Sequence, residues 1–410
     1  MGKKDSSVRL EFPSDRPVGE VFAWSRRSGR WRRLAAARGS VRVPSGRDLG
    51  FALRDRAGGD LSFLDDLDPY VLSGLWLHSN KLTDLELERV GRFSFVHRLS
   101  LSGPVGDDCL AGVQRLLLLT ELDLNGTCVT DAGIGSLGAL PVLRDLWLGG
   151  TDVGDDLIPH LAALPHLRRV GLWHTEVGDA GAAALAGLSQ LQRVGLSWTN
   201  VGPEGITAVA ALPHLQVLGL NGLAPGPVGI AAIGRATGLR ALHLSGAEVG
   251  GDVPLAAVAG ARTLRTLELC GTSITSADVA ALAELPKLQS LCLIGCDLGP
   301  GSAEALAQCA SLRELDLSGT DVDDGAVRAL AALPSLRRLG LGRTSVSDRG
   351  VSALAEAPSL ASLDLSSTDV TDSGVEALSR LHPLRTLRTS GTVVSPKAIK
   401  RLRQALPRLR

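Results

Sequence analysis

Aromatic residues are scarce in this chain: 3% of 410 positions, with one Tyr, six Phe and six Trp. A core with so little ring bulk must be closed by aliphatic side chains, and each Trp is worth locating singly. Net charge is also missing, with 43 Lys/Arg against 43 Asp/Glu. That removes any global pull toward nucleic acid or an anionic membrane. No apolar run of about 18 residues occurs, so no membrane-spanning helix is expected. The N-terminus, MGKKDSSVRLEF, has two lysines with no apolar run behind them and does not read as a secretory signal. The cysteines (109, 128, 270, 292, 296 and 309) form no CxxC pair and no framework spacing. Six free thiols in a cytoplasmic protein are therefore expected. HExxH, GxSxG and glycine-rich phosphate loops do not occur, which removes the commonest sequence signs of an enzyme. No cofactor is expected.

What is present is a period. Leucines recur at 119, 143, 167, 191, 215 and 239, then at 264, 288, 312, 336, 360 and 384. From Leu119 the step is constant except between Leu239 and Leu264, where it is longer by one; Val96, at a step shorter by one, and Leu72 extend the series backwards to give fourteen repeats. A clear copy is LRELDLSGTDVDDGAVRALAALPS, residues 312–335. Positions 1, 4 and 6 are apolar, the pattern of a short strand with one buried face. Position 6 is Leu in thirteen repeats, with Thr389 the exception, and position 9 is Thr in nine. Positions 16, 19 and 22 are apolar at helical spacing, punctuated by Gly at 15 and Pro at 23. Each repeat thus reads as strand, turn and short helix. None buries its leucine face alone, but stacking neighbours makes one continuous core. The position-9 hydroxyl is placed to bond turn backbone that would otherwise be buried unpaired. Asp321, beside it, is read as facing solvent.

These residues resemble the leucine-rich-repeat family, whose pattern is LxxLxLxxN/C/TxL, over residues 72–408. The helical second half is similar to the cysteine-containing subclass; Cys296 and Cys309 of repeat ten stand where that subclass puts its cysteines. No F-box-like helical segment accompanies them. The resemblance implies an α/β horseshoe, with parallel strands on the concave face and helices on the convex face, and a role in recognition.

The ends do not repeat. Residues 1–58 contain VRLEF, GEVFAW, GSVRVP and DLGFALRD, alternating runs that predict a small antiparallel β-domain of four or five strands. Residues 59–71 read as an N-terminal cap, 72–394 as the repeats, and 395–410 as a cap helix closed by Ala398, Ile399, Leu402 and Leu406. Charge is uneven: 14 Lys/Arg to 10 Asp/Glu over residues 1–70, and nine to none over 377–410, leaving an acidic middle. The segment SRRSGRWRR (25–33) has two readings. One is a solvated hairpin with Trp24 packed across from Trp31; the other is an Arg/Trp patch for nucleic acid.

On a strand buried on one face, positions 3, 5 and 7 point the other way. That row holds Trp76 in repeat one, Trp147 in repeat four and Trp173 in repeat five, with His174 and Trp198 at position 8 on the rim. Gly171, Gly195 and Gly219 leave a shallow floor, bordered by Arg169 and Arg193. Exposed Trp and Arg together have the composition of an interaction hot spot. Asn221 and His243 continue the row. The expected role is a scaffold that binds a protein or peptide on the concave face, with neither membrane nor nucleic acid as partner. Two other readings are weighed. The chain is a recognition arm docked through its β-domain, or an enzyme or metal site uses the row His243, Glu268, Cys292, Asp316, with Cys270 nearby. The last lacks a pocket that excludes water. In repeats seven and eight, Leu223 and Ala247 interrupt the threonine ladder; a shaped loop and simple drift are equally good accounts.

Overall fold

A computed structural model describes residues 7–53, 59–251 and 253–410. The chain divides into two units, residues 1–200 and 201–410. The expected boundary at 58/59 adjoins residues 54–58, which lie outside the described residues.

In the first unit, β1 (Ser7–Glu11) and β4 (Ser40–Pro44) form an antiparallel pair. The other three strands of the N-terminal region are β2 (Gly19–Ser25), β3 (Arg30–Ala37) and β5 (Leu49–Leu53). β2 lies antiparallel between β3 and β5, and β5 then pairs in parallel with β6 (Leu72–His78), the strand of repeat one. The N-terminal sheet therefore runs into the repeat sheet without a gap. From β6 the ladder is parallel, each strand in register with the same positions of the next repeat, through Arg98–Ser102, Glu121–Asp123, Asp145–Trp147, Arg169–Gly171 and Arg193–Gly195. The expected cap is a 3-10 helix, Ser62–Asp66, with Phe63 and Leu64 buried.

The second unit repeats the scheme from Val217–Gly219 to Thr386–Arg388. Its register advances by the same step, as in Val217↔Ala241, except at Ala241↔Thr266, where the longer repeat eight is accommodated without a slip in the ladder. Pro396–Ala405 forms the closing helix; the Ser395 hydroxyl accepts from the Ala398 N–H at 3.2 Å, and Ala398, Leu402 and Leu406 are buried. The helical halves are short, because strand and turn leave them little of each repeat. They range from the nine-residue Gly226–Gly234 to a 3-10 turn, Leu255–Gly260.

Two hydrogen-bond ladders support the repeats. The nine position-9 threonines each donate from Oγ1 to the carbonyl of the position-6 residue in their own repeat, at 2.6 to 2.7 Å. Thr320 is buried, and its loss to Val should cost about 1 kcal/mol. Asp321 is not the idle neighbour expected: its carboxylate accepts from the Leu298 N–H of the preceding repeat at 3.1 Å. Asp297, exposed and with no side-chain bond among the described residues, is the better reference. Thr320→Val should lower the denaturation midpoint, while Asp297→Ala should stay within about 0.5 kcal/mol of wild type.

The second ladder uses aspartates at the helix starts. Asp324 accepts from the Ser347 N–H at 2.8 Å, the Ser347 hydroxyl at 2.6 Å and the Gly350 N–H at 3.0 Å. Asp348 and Asp372 likewise accept from the backbone and hydroxyl of Thr371 and Ser395. Burial pushes the Asp324 carboxyl up, but the Ser347 and Gly350 donors outweigh it and hold the pKa below the ordinary value. A depressed carboxylate contributes stability that is fully present above its unfolded pKa of about 3.9 and is lost as pH falls through the folded value. Asp324→Asn should therefore flatten the acid limb of the stability curve below about pH 4, read by thermal melts from pH 7 to pH 2.

Candidate interaction surface

The strand face carries the expected aromatic residues, but it holds them in different ways. Trp147 lies down: its six-membered ring covers Gly171, where an added Cβ would stand 2.6 Å from Cε3. Trp173 leans back over Gly149 of the preceding repeat, yet remains 40% exposed. Trp198 is 51% exposed, and its ring stacks on His174 with centroids 5.8 Å apart and 6° between planes. His174 in turn meets Trp173 edge-on at 5.6 Å. So Trp173, His174 and Trp198 form one aromatic row over repeats five and six, beside the open floor at Gly195.

Backbone geometry separates this row from the rest. Position 8 has positive φ at Gly103, Gly126, Gly150, Gly222, Gly246, Gly271, Gly295, Gly319 and Gly391. That left-handed conformation is where glycine carries no Cβ penalty. The four non-glycine residues with positive φ among the described residues are His174 (52°), Trp198 (59°), Arg343 (58°) and Ser367 (56°), all at this same position. Bulky residues rarely adopt it.

The flanking arginines differ as well. Arg169 donates to Asp145 at 2.5 Å, whereas Arg193, in register beside it and exposed, has no ion pair among the described residues. Trp76 does not join the row. It is covered by Phe22 (6.0 Å) and Trp31 (5.0 Å) from the N-terminal strands. In the second unit, the Asn221 side chain accepts from the Ser245 N–H at 2.8 Å, tying repeat seven to repeat eight. His243 Nδ1 lies 2.7 Å from Glu268.

Cys270 and Cys292 are joined by a disulfide, with Cα atoms 5.9 Å apart. The expectation of six free thiols is thus wrong for this pair. The reason is the slant of the parallel ladder: Leu269 N–H donates to the Cys292 carbonyl at 2.9 Å, which sets position 7 of one repeat beside position 5 of the next. Both positions face the same way. The cytoplasmic expectation loses its premise with the free thiols, and the row from His243 to Asp316 has no thiol left to act as a nucleophile. Denatured, unreduced protein should titrate with four thiols, those of Cys109, Cys128, Cys296 and Cys309; six would contradict the bond.

Further along, a depression of about 410 Å³ lies over repeats ten to fourteen, bordered by Asp316, Asp364 and Arg388. Glu314 pairs with Arg338, and Asp364 with Arg388 at 3.4 Å. Hydrogen bonds from Ser366 and Arg388 hold the Asp364 carboxyl below its ordinary value, against burial, which is the largest effect and pushes it up. Sequence reasoning met this region only through Cys292 and Asp316, as part of the catalytic or metal row; the non-glycine residues Arg343 and Ser367 at position 8 were the further signal available. Among the described residues no helix is long and apolar enough to cross a membrane.

A family model described as a leucine-rich repeat region matches residues 96–410. No curated protein matches the chain. Among solved structures, a leucine-rich-repeat protein of Leptospira interrogans is similar at 18% identity, over 88% of this chain and 92% of that one, with a TM-score of 0.50. The mouse RP105/MD-1 complex is similar at 14% identity, over 83% of this chain and 65% of that one, with a TM-score of 0.54. An internalin of Listeria monocytogenes is 21% identical over 80% of this chain and 88% of that one, at 0.49. At these identities the structural likeness speaks to fold alone.

Proposed function

Because this chain belongs to the leucine-rich repeat family, we propose that it is a scaffold that binds a protein or peptide on its strand face, centred on Trp173, His174 and Trp198 with Arg169 and Arg193 at the edge. One observation carries the reading. Two adjacent repeats place His and Trp at a left-handed position that most repeats give to glycine. Such a conformation costs an L-residue roughly 1–2 kcal/mol. Strain of this kind collects at sites where the side chain is used. The rings are not hidden in return, since Trp173 and Trp198 stay exposed. Trp147, laid down on Gly171, supports the sheet beside the row, and Arg193 is a charge open to an acidic partner group. The mouse protein of similar fold is itself a complex, RP105 with MD-1.

The alternative, a recognition arm docked through a separate β-domain, has less behind it. The N-terminal sheet is continuous with repeat one through β5 and β6, as a cap would be. The test is a pull-down of interacting proteins with wild type beside a Trp173→Ala/Trp198→Ala variant. A partner kept by wild type and lost by a variant of unchanged melting temperature supports the strand face. A partner retained at full strength by the variant overturns it.

A further inference from the structure

A second site lies away from the strand-face row, where the β2–β3 hairpin meets repeats one to three. A cavity of about 330 Å³ opens there between Trp24, Trp31, Phe95 and His97, with Asp48 and Arg98 at its polar side. That volume is at the small end for ligand pockets, on the order of 300–1,000 Å³. Its walls are aromatic: Trp24 and Trp31 are cross-strand partners with rings 5.4 Å apart, and Phe95 meets His97 edge-on at 4.9 Å.

The Trp31 Nε1–H is buried with no partner among the described residues; the side chains of Ser73, Thr120, Arg98 and Asp48 can be accounted for in turn. The Ser73 hydroxyl is spent on the Leu49 carbonyl (3.1 Å), and that of Thr120 on the His97 carbonyl (2.9 Å). The Arg98 guanidinium already lies 4.6 Å over the Trp24 ring, and its Nε is 3.4 Å from Glu121. Its charge is therefore answered on both sides. Asp48 uses its backbone carbonyl for the Trp24 N–H at 2.9 Å, but its carboxylate has no hydrogen bond and no ion pair among the described residues. One unanswered negative charge thus faces a small cavity walled by aromatic rings. The negative faces of indole and phenyl rings attract cations, and a carboxylate beside them adds a full charge of the same sign.

We propose that this cavity binds an organic ammonium ion, held by Asp48 against the faces of Trp31 and Phe95. Arg98 on Trp24 shows that a cation is already accommodated at one ring of the same cluster. The ammonium has two possible sources, a free small amine or a lysine side chain of a partner, and both present the same head group. Neither depends on the strand-face reading.

The test is calorimetric titration of the full chain with three probes: choline, its neutral carbon isostere 3,3-dimethylbutan-1-ol, and a glycine-flanked peptide carrying one trimethyllysine. Choline should bind, and the isostere at least about tenfold more weakly. Asp48→Asn should cost a similar factor for both cations without moving the melting temperature, as the carboxylate holds no structural bond. Arg98→Gln should strengthen cation binding, because it removes a like charge and uncovers Trp24; weaker binding would mean an anionic or zwitterionic ligand and would overturn the proposal. So would equal binding of isostere and choline, an unchanged Asp48→Asn variant, or no saturable binding of either cation by wild type. A peptide that binds more tightly than choline assigns the site to a partner's side chain, and equal affinity to a free amine. The Trp173→Ala/Trp198→Ala variant should bind choline as wild type does, which separates the two sites.

Discussion

Replacing Trp198 by glycine should leave the fold within about 1 kcal/mol of wild type while weakening partner affinity some thirtyfold. Three magnitudes decide the first half. Relief of the left-handed conformation returns roughly 1–2 kcal/mol. Loss of the stack on His174 takes back about 0.5–1.5 kcal/mol, and the greater freedom of glycine in the unfolded chain about 0.5–1 kcal/mol. These nearly cancel, and the ring is too exposed to add much burial. The second half follows from the anchor role, since truncating a buried interface Trp typically costs at least about 2 kcal/mol. Trp147→Ala should behave the other way. Its ring rests on Gly171, and its loss should cost about 2 kcal/mol of stability, because a packed ring leaves a gap that the sheet cannot close. Melting temperatures and partner titrations of the two variants should therefore order oppositely. If Trp198→Gly is as unstable as Trp147→Ala, the exposed row is structural paving; if it binds normally, the interface is elsewhere.

The repeat was legible in the sequence because its period is written in leucine, and a buried leucine face leaves few ways to stack. The same arithmetic placed Trp147 and Trp173 on the open face by parity, and His174 and Trp198 at position 8 on its rim. Parity does not say how a ring lies once it is there. Whether Trp147 folds onto Gly171 or Trp76 is covered by Trp31 depends on the neighbouring repeat and on a hairpin from outside the repeats altogether. The Cys270–Cys292 bond was missed for a related reason. Counting positions within one repeat hides the diagonal that the slanted ladder makes between position 7 and the next repeat's position 5. Asp321 was misread because its bonding partner, the Leu298 N–H, belongs to the preceding repeat. The clearest unused signal was the loss of glycine at position 8 in five repeats, at Ser79, His174, Trp198, Arg343 and Ser367, all but Ser79 keeping the left-handed turn.

Gly250→Ala should cost about 3 kcal/mol, and the same change at the next residue, Gly251→Ala, only about 1 kcal/mol. Both glycines belong to repeat eight, which carries the one additional residue and the alanine that breaks the threonine ladder. The buried side chains of Leu223 and Ala247 close the core there in place of threonine. The added length is taken up in a tight loop, where the Gly250 N–H donates to the Val253 carbonyl at 2.8 Å and the Val253 N–H returns to Gly250 at 2.9 Å. Both glycines have positive φ, 88° and 54°, so each substitution meets the left-handed penalty of roughly 1–2 kcal/mol. Only Gly250 meets a second obstacle. A Cβ there would stand 1.9 Å from the Ser273 carbonyl oxygen and 3.0 Å from the Ile274 Cα, both backbone atoms of repeat nine, while nothing lies within 4 Å of one on Gly251. A side chain in the way rotates aside, but backbone moves only by shifting repeat nine, whose Ile274 is buried in the core. Overpacking of that kind adds about 1–3 kcal/mol. Urea midpoints of the two variants measure the gap directly, and hydrogen exchange should show the Gly250→Ala loss centred on repeats eight and nine, since each repeat contacts only its neighbours. Equal midpoints would mean that the loop gives way freely, and that the irregularity of repeats seven and eight is tolerated drift with no close fit behind it.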